Sequence, residues 1–450
     1  MTERILDKTE ALLAREGDTL AHVLRIRFYP MAVARAAGVR VWDPDGNEYL
    51  DLIAGGGVMQ TGFGHPAVKA AIRTELDVTF SNMLCCYPSE AQVALGERLL
   101  QMWPHGPGSK VWFGGTGSDA NDCLARLLPA AAGRRRLITY VGAYHGQTAA
   151  SAALSGHSAQ ARVIAGGNVT KIPYPYCYRC LWGCRESDAC DLQCLRFLEE
   201  FTLAAVSPAD DTAAIILEPM QSDGGDIVPP ARYIQGLRDL CDRHGIWLVF
   251  DEVKTGLGRS GRFFMHEHFD VRADAVSLGK PLGGGLPLSG VIATPQVLDQ
   301  DTFSLYTLGG SPAPCAAGLA TLDVLAAEHL PENAVRVGEH LRGGLLELAA
   351  THPSIGDVRG LGLMIGTELV EDRRTKAPSP QAAARLAYRC FELGLLVIYC
   401  GLLANVIEMT PPLTLTERDA DEALGIIDHA LGDVEAGRFD DAKLSRFRGW

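Results

Sequence analysis

Apolar residues in this 450-residue chain fall into short continuous runs separated by longer stretches in which they recur at helical spacing. The runs Lys110–Gly114, 137–141, Thr212–Leu217, 246–251 and Ala275–Leu278 are too short for buried helices and are bounded by glycine, proline or charge. Each therefore predicts a buried strand. Strand and helix alternate in this way from Lys110 to about Thr294, which predicts an α/β chain with a mostly parallel central sheet and crossover helices. Upstream lie a polar helix and two β-rich runs around Asp43-Pro44-Asp45-Gly46, a hairpin turn. The glycine-rich stretch 55–64 then leads into a helix from His65. Downstream, the pattern predicts one long helix from about Ala313, strands within 356–370 and 395–399, and a terminal helix over 417–431.

These shifts in pattern predict an N-terminal segment, 1–54, that completes a small C-terminal domain, 313–450. Between them lies a large domain, 55–312, with a cysteine-rich insertion at 176–194. The composition is that of an ordinary globular protein, 47% hydrophobic and 21% charged. A net charge of −13 argues against nucleic acid and anionic membranes as partners, since both reward a basic face. The only basic cluster, 134–136, closes a predicted helix and suits its negative dipole end. No apolar h-region follows the charged N-terminus and no run of about 18 apolar residues suggests a membrane span. The expected compartment is the cytoplasm.

Candidate chemistry concentrates in 246–287. The strand ending at Asp251 is followed by Glu252 and the turn Thr255-Gly256-Leu257-Gly258-Arg259. The next strand delivers Lys280 into Gly283-Gly284-Gly285. Ligands of open α/β sheets bind at the carboxyl ends of strands. A partly desolvated lysine amine there suits an aldehyde cofactor, with which it forms a Schiff base. An aspartate facing a pyridine nitrogen would keep that nitrogen protonated and the ring electron-accepting. Taken singly, each residue is more often a strand-end cap or a loop lysine; it is the pair that carries weight. Earlier in the chain, Gly115-Thr116-Gly117-Ser118 opens a helix, where backbone N–H groups, hydroxyls and the dipole converge on an anion.

FDEVKTGLGRSG followed by Lys280 resembles the signature of the class III aminotransferases, and the likeness runs from about Asp51 to the C-terminus. The resemblance implies a fold type I enzyme carrying pyridoxal 5′-phosphate. It places Thr116, Gly117 and Ser118 at the phosphate, Tyr144 against the cofactor ring and, by likeness, the substrate, Asp251 at the pyridine nitrogen and Lys280 as the Schiff-base lysine. His145, in the same GAYHG segment, is otherwise a capped-turn residue. The loop 302–312 resembles one that crosses a dimer interface in this family, so Thr307 is expected to reach the phosphate of the neighbouring site in a homodimer.

Three positions bear on the reaction. Asp223, in QSDGG, sits after a strand on the cofactor side, where it could face a substrate Cα opposite Lys280. Lys254 stands where the family usually has a glutamine near the cofactor's phenolic oxygen. Glu408, in VIEMTPPLTLTE, replaces an arginine that grips a substrate carboxylate in many relatives. That replacement reverses the charge and disfavours a free carboxylate over an amide or lactam. Racemisation needs a second acid that returns a proton to the opposite face of Cα. Together with EPMQSDGG, GKPLGGGLPLSGVIA and IGDVRGLGL, these positions resemble the racemase branch of the family, which includes α-amino-ε-caprolactam racemases and amino-acid racemases and epimerases. Lys280 and Asp223 are then the two catalytic bases. The alternatives are an aminotransferase moving an amino group to a keto acid, a decarboxylating aminotransferase, and a silent binding protein that keeps the fold.

The insertion 176–194 carries Cys177, Cys180, Cys184, Cys190 and Cys194. Its CxxC start is compatible with structural zinc, although most of the family lacks the insertion and plain surface thiols are the competing reading. Sequence alone assigns no metal ligand.

Overall fold

The computed structural model describes residues 4–79, 81–157, 168–184, 190–447 and 449. Residues 1–3 of the N-terminal segment and positions 185–189 of the cysteine-rich insertion lie outside the described residues, as do Ser158 and Trp450. The chain divides into two compact units, Met1–His65 with Glu332–Trp450, and Pro66–Pro331. The breaks fall at 65/66 and 331/332, where the sequence pattern suggested 54/55 and 312/313. The helix Pro312–Ala327 belongs to the middle unit because it packs on Pro66–Val78 and Glu90–Met102. The long helix expected from Ala313 is in fact two, Pro312–Ala327 and Leu330–Thr351, separated at His329, whose φ is +50°.

In the first unit β1 (Arg35–Ala37), β2 (Arg40–Trp42) and β3 (Glu48–Asp51) form an antiparallel sheet. Asp43 explains the hairpin between β2 and β3. Its carboxylate accepts from the Asp45 and Asn47 amides (3.0 and 2.8 Å), from Asn47 Nδ2 (2.7 Å) and from the Tyr49 hydroxyl (3.0 Å). An aspartate opening a turn binds its own backbone in this way.

The middle unit holds a seven-stranded sheet of β4 (Lys110–Gly114), β5 (Arg136–Tyr140), β6 (Val169–Ile172), β7 (Thr212–Leu217), β8 (Trp247–Asp251), β9 (Ala275–Leu278) and β10 (Ser289–Ala293). Their spatial order is β4-β10-β9-β8-β7-β5-β6. The strands from β6 to β9 pair in parallel, and β10 runs antiparallel to both β9 and β4. Two reversals restore direction, so β4 points the same way as the parallel strands. Every residue of β7, β9 and β10 is buried, as expected of strands covered on both faces. The crossover helices carry their own stop signals. Gly117–Ala132 ends at Gly133 (φ +63°) and Ala231–His244 at Gly245 (φ +61°), both left-handed caps that favour glycine.

The remaining strands belong to the first unit. β11 (Ile355–Leu361), β12 (Met364–Asp372), β15 (Ile398–Cys400) and β16 (Val406–Met409) form an antiparallel sheet, β13 (Ala377–Pro378) pairs with β12, and β14 (Leu395–Leu396) joins β3 in parallel. The terminal helix runs from Glu417 to Glu435 and is capped by Thr416, whose hydroxyl accepts from the Asp419 amide.

The glycines after Lys280 answer a packing need. Gly284 has φ +59°, and a Cβ there would lie 2.8 Å from both Val68 Cγ1 and Thr321 Oγ1 and 3.2 Å from the Ala317 carbonyl. Gly284→Ala therefore combines a disfavoured backbone with overpacking and is expected to remove about 1–3 kcal/mol of stability. A guanidinium unfolding curve of the variant checks this, and an unchanged midpoint would mean the loop yields freely.

Candidate active site

The carboxyl edge of the seven-stranded sheet collects the charged and polar residues of the middle unit. Asp251 closes β8 and pairs with Ser277 of β9 in parallel register. Lys280 lies three residues beyond that partner, so neighbouring strands deliver a carboxylate and an amine to one edge. β7 ends beside Phe250 and continues directly into Glu218 and the turn carrying Asp223. β5 continues into Tyr144 and His145, and β4 into Thr116-Gly117-Ser118.

Asp251 is buried, 3% exposed. Its Oδ2 accepts from Asn121 Nδ2 (2.6 Å) and from His145 Nδ1 (2.7 Å), and its Oδ1 accepts from the Val253 amide (3.0 Å). Burial pushes the carboxyl up, but the hydrogen bond and charge of His145, with the Val253 and Asn121 donors, hold it below the usual carboxylate range. Burial acts on His145 in the opposite sense and is overridden by Asp251, which raises the imidazole's pKa. Asn121 also donates to the His145 carbonyl (2.8 Å), locking helix Gly117–Ala132 to the loop after β5. His145 Nε2 and Asn121 Oδ1 are buried with no partner among the described residues.

Lys280 is half-buried and has φ +39°, in the left-handed region that few non-glycine residues occupy. Its pKa lies below the ordinary lysine value. Burial is the main cause, the charge of Lys254 adds to it, and Asp223, Asp251 and Glu218 pull the other way. These charges therefore share one neighbourhood. Lys254, 7% exposed, sits with Nζ 3.6 Å from Asp223 Oδ1. Tyr144 is half-buried; its hydroxyl accepts from Gln147 Nε2 (3.1 Å), and burial, then the charge of Asp223, raises its pKa.

Thr116 caps helix Gly117–Ala132, its hydroxyl accepting from the Asp119 amide (3.3 Å), while Asp119 accepts from the Gly115 and Thr116 amides (2.9 and 2.8 Å). The first-turn amides of Gly117 and Ser118 have no intrahelical partner and face the dipole's positive end outward. Gly117 admits no side chain, since a Cβ would meet Val253 Cγ1 at 2.6 Å. Thr307 is exposed on a loop tied to its own chain by the Trp112 indole N–H to the Ser304 carbonyl and by Arg126 Nη2 to Ser304 Oγ (2.9 Å). Glu408 lies in the other unit, on β16 between Gly366 of β12 and Ile398 of β15, and is buried at 1% exposure.

Three residues of this edge escaped the sequence reading: Asn121, His157 and Glu218. His157 is buried within electrostatic reach of Asp223. Glu218 binds two loops, its Oε1 accepting from the Tyr144 amide (3.0 Å) and its Oε2 from the Ser222 amide and hydroxyl (2.9 and 2.8 Å). Burial first, then the charges of Asp251 and Asp223, push its pKa from 4.5 up to about 7 against the pull of His145. Between these two values the folded state holds a proton that the unfolded state lacks, so Glu218's contribution to stability falls as pH rises through that window. Relative to wild type, Glu218→Gln is expected to gain stability from pH 5 to pH 8 in denaturant midpoints. The same difference at both pH values would put this carboxyl in the ordinary range.

Known proteins are similar to this chain. The Aminotransferase class-III family model matches residues 25–431. The chain is 36% identical to an alanine/serine racemase of Pyrococcus horikoshii over 96% of its own length and 92% of the relative's. It is 36% identical to an isoleucine 2-epimerase of Lentilactobacillus buchneri over 99% of both. Among solved structures, a PLP-bound amine transaminase from an uncultivated Pseudomonas species superposes with a TM-score of 0.83 at 34% identity, covering 93% of this chain and 96% of that one. The α/β architecture is that of the fold type I PLP-dependent transferases. With a family model and relatives matched along nearly its whole length, the chain belongs to the class III aminotransferase family.

Proposed function

We propose that the protein is a pyridoxal-phosphate-dependent racemase that inverts Cα of an amino acid, amino-acid amide or lactam with two bases, Lys280 and Asp223. The observation that carries this reading is the charged cluster at the sheet edge, where Lys280, Lys254 and Asp223 stand together. The similarity to amino-acid racemases and epimerases supports it.

The residues present fit the cofactor. A buried carboxylate kept ionised beside His145 suits a pyridinium N–H, and the Gly117 and Ser118 amides with the Thr116 hydroxyl suit a phosphate. Lys280 would hold the aldehyde, Tyr144 the ring face and Lys254 the phenolic oxygen. When bound, the cofactor supplies a sink for the electron pair left at Cα. Lys280, whose lowered pKa leaves more of the amine neutral, takes or returns the proton on one face of Cα. Asp223 does so on the other, with the ammonium of Lys254 3.6 Å from its carboxylate. Thr307 completes the phosphate site of a second copy of this chain. The exposed side chains Phe303 (87%) and Leu308 (63%) on the same loop favour such a covered surface. The chain's charge balance favours no nucleic acid or membrane partner, and no described helix is long and apolar enough to cross a membrane; we read the compartment as cytoplasmic.

A second reading, transamination, has the 34%-identical amine transaminase in its favour. One experiment separates the two. Single enantiomers of amino acids, amino-acid amides and α-amino-ε-caprolactam are incubated in heavy water without a keto acid. A racemase loses enantiomeric excess as deuterium enters Cα. Asp223→Asn is expected to slow inversion about 10²–10⁴-fold while exchange with retention persists, and Lys280→Ala to abolish both. Turnover that requires a keto acid would establish the aminotransferase instead.

Glu408 bears on the substrate. A buried carboxylate in place of an arginine disfavours a free α-carboxylate. Glu408→Arg is expected to shift the ratio of amino-acid to amide kcat/KM about tenfold toward the acid, equivalent to about 1.4 kcal/mol. An unchanged ratio would leave Glu408 a purely structural residue.

A further inference from the structure

The chain leaves the sheet after β6, and among the described residues that follow the first α-helix begins at Gln193. Among the described residues of this excursion, regular structure amounts to one 3-10 turn, Cys177–Arg179. A long segment with little backbone pairing inside a compact unit needs another source of order. Its apolar side chains are not all buried, Leu181 being 73% exposed, and none of the chain's twelve cysteines is disulfide-linked.

The thiols point to that source. Cys177, Cys180, Cys184, Cys190 and Cys194 are all half-buried and line one cavity, with Pro230 at the head of helix Ala231–His244 on its wall. Cys180, Cys184 and Cys190 lie within electrostatic reach of Cys177. Cys194 reaches in addition toward the buried hydroxyls of Tyr140 and Tyr233. The free space is about 20 Å³, enough for an ion or one water molecule and too little for an organic ligand or an iron–sulfur cluster. The spacing, a CxxC followed by two further cysteines, offers four thiols from a short chain, and an ion would draw their sulfurs, no three of which lie within 4.8 Å of one another in the structure, around one centre.

We propose that Cys177, Cys180, Cys184 and Cys190 bind one Zn²⁺ as a tetrahedral thiolate site that fastens the 176–194 excursion to the body of the middle unit. Soft sulfur donors in a closed tetrahedral set select zinc and leave no open position for substrate, so the site is structural. Binding replaces four S–H protons by four Zn–S bonds and releases the protons to solvent. The fastening point is the start of helix Ala231–His244, where Arg232 Nη2 also donates to the Cys190 carbonyl (3.1 Å).

The test uses the full-length, cofactor-loaded enzyme, purified under reducing conditions from zinc-supplemented culture. Elemental analysis is expected to find about one zinc per chain, and X-ray absorption four sulfurs at about 2.3 Å. Cys180→Ser should lower zinc below about 0.1 per chain, while Cys194→Ser and Cys85→Ser keep it. Should Cys180→Ser prove insoluble, organomercurial titration of the wild type decides the matter, with one zinc released as about four thiols react. Wild-type protein that takes up no zinc from added ZnCl₂ and exposes all five thiols to a disulfide reagent would overturn the proposal. So would iron with sulfide in place of zinc, or zinc lost from Cys194→Ser and kept in Cys184→Ser.

Discussion

A carboxylate held ionised inside the middle unit is the constraint from which its active edge follows. Removing Asp251 from water without partners would protonate it or unfold its surroundings, because an isolated buried charge costs several kcal/mol. The fold meets that cost with donors from three places: Asn121 on the helix after β4, His145 on the loop after β5, and the amide of Val253 in its own turn. Each partner fixes the residues next to it. Asn121 sets the rotation of the helix whose first turn presents Gly117 and Ser118, His145 sets the loop that carries Tyr144, and the 252–255 turn positions Lys254. Gly117 and Ser118, Tyr144 and Lys254 are thus placed by the same buried charge.

A balance of like and unlike charges tunes the rest of the edge. Lys254 depresses the pKa of Lys280, although burial is the larger cause, and it stands 3.6 Å from Asp223. A neutral residue at 254, such as the glutamine usual in the family, would do neither. The one cation therefore makes Lys280 more available as a free amine while compensating the negative charge of Asp223. That coupling suits two-base chemistry better than transamination, which needs a single proton carrier between Cα and the cofactor.

The strands were the most legible part of the sequence. Thr212–Leu217 and Ala275–Leu278 are buried apolar runs closed by glycine or charge, so composition alone marks both ends, whereas Lys110–Gly114 is buried only at Phe113 and Gly114. Lys280 and Asp251 stood out because chemistry and position coincided at strand ends. Asn121 and Glu218 did not, because their partners are distant in sequence. Asn121 lies 130 positions from Asp251 and Glu218 lies 74 from Tyr144, and no local pattern encodes such a pairing. The antiparallel β10 was equally hidden, since its buried run reads like any parallel strand. The helix after Pro312 looked continuous with the next because both are rich in helix formers. What divides them is a single left-handed residue, His329, and the one local signal is Pro331 at the start of the next helix.

Glu218 links the catalytic edge to the cysteine-rich excursion. Its carboxylate ties the Tyr144 loop to the Ser222-Asp223 turn, and its own carbonyl accepts from the Tyr174 hydroxyl (2.9 Å). Tyr174 packs edge-on against Tyr140 at 5.4 Å, and Tyr140 shares a hydroxyl hydrogen bond with Tyr233 at 2.8 Å. Tyr233 lies on helix Ala231–His244, three positions beyond Pro230 on the wall of the thiol cavity. Three buried tyrosines therefore stand between the excursion and the backbone that carries Asp223. In a close-packed interior such contacts transmit displacement rather than absorb it. An excursion fastened at its cysteines would keep Tyr174 and helix Ala231–His244 in register, and with them the turn that carries Asp223.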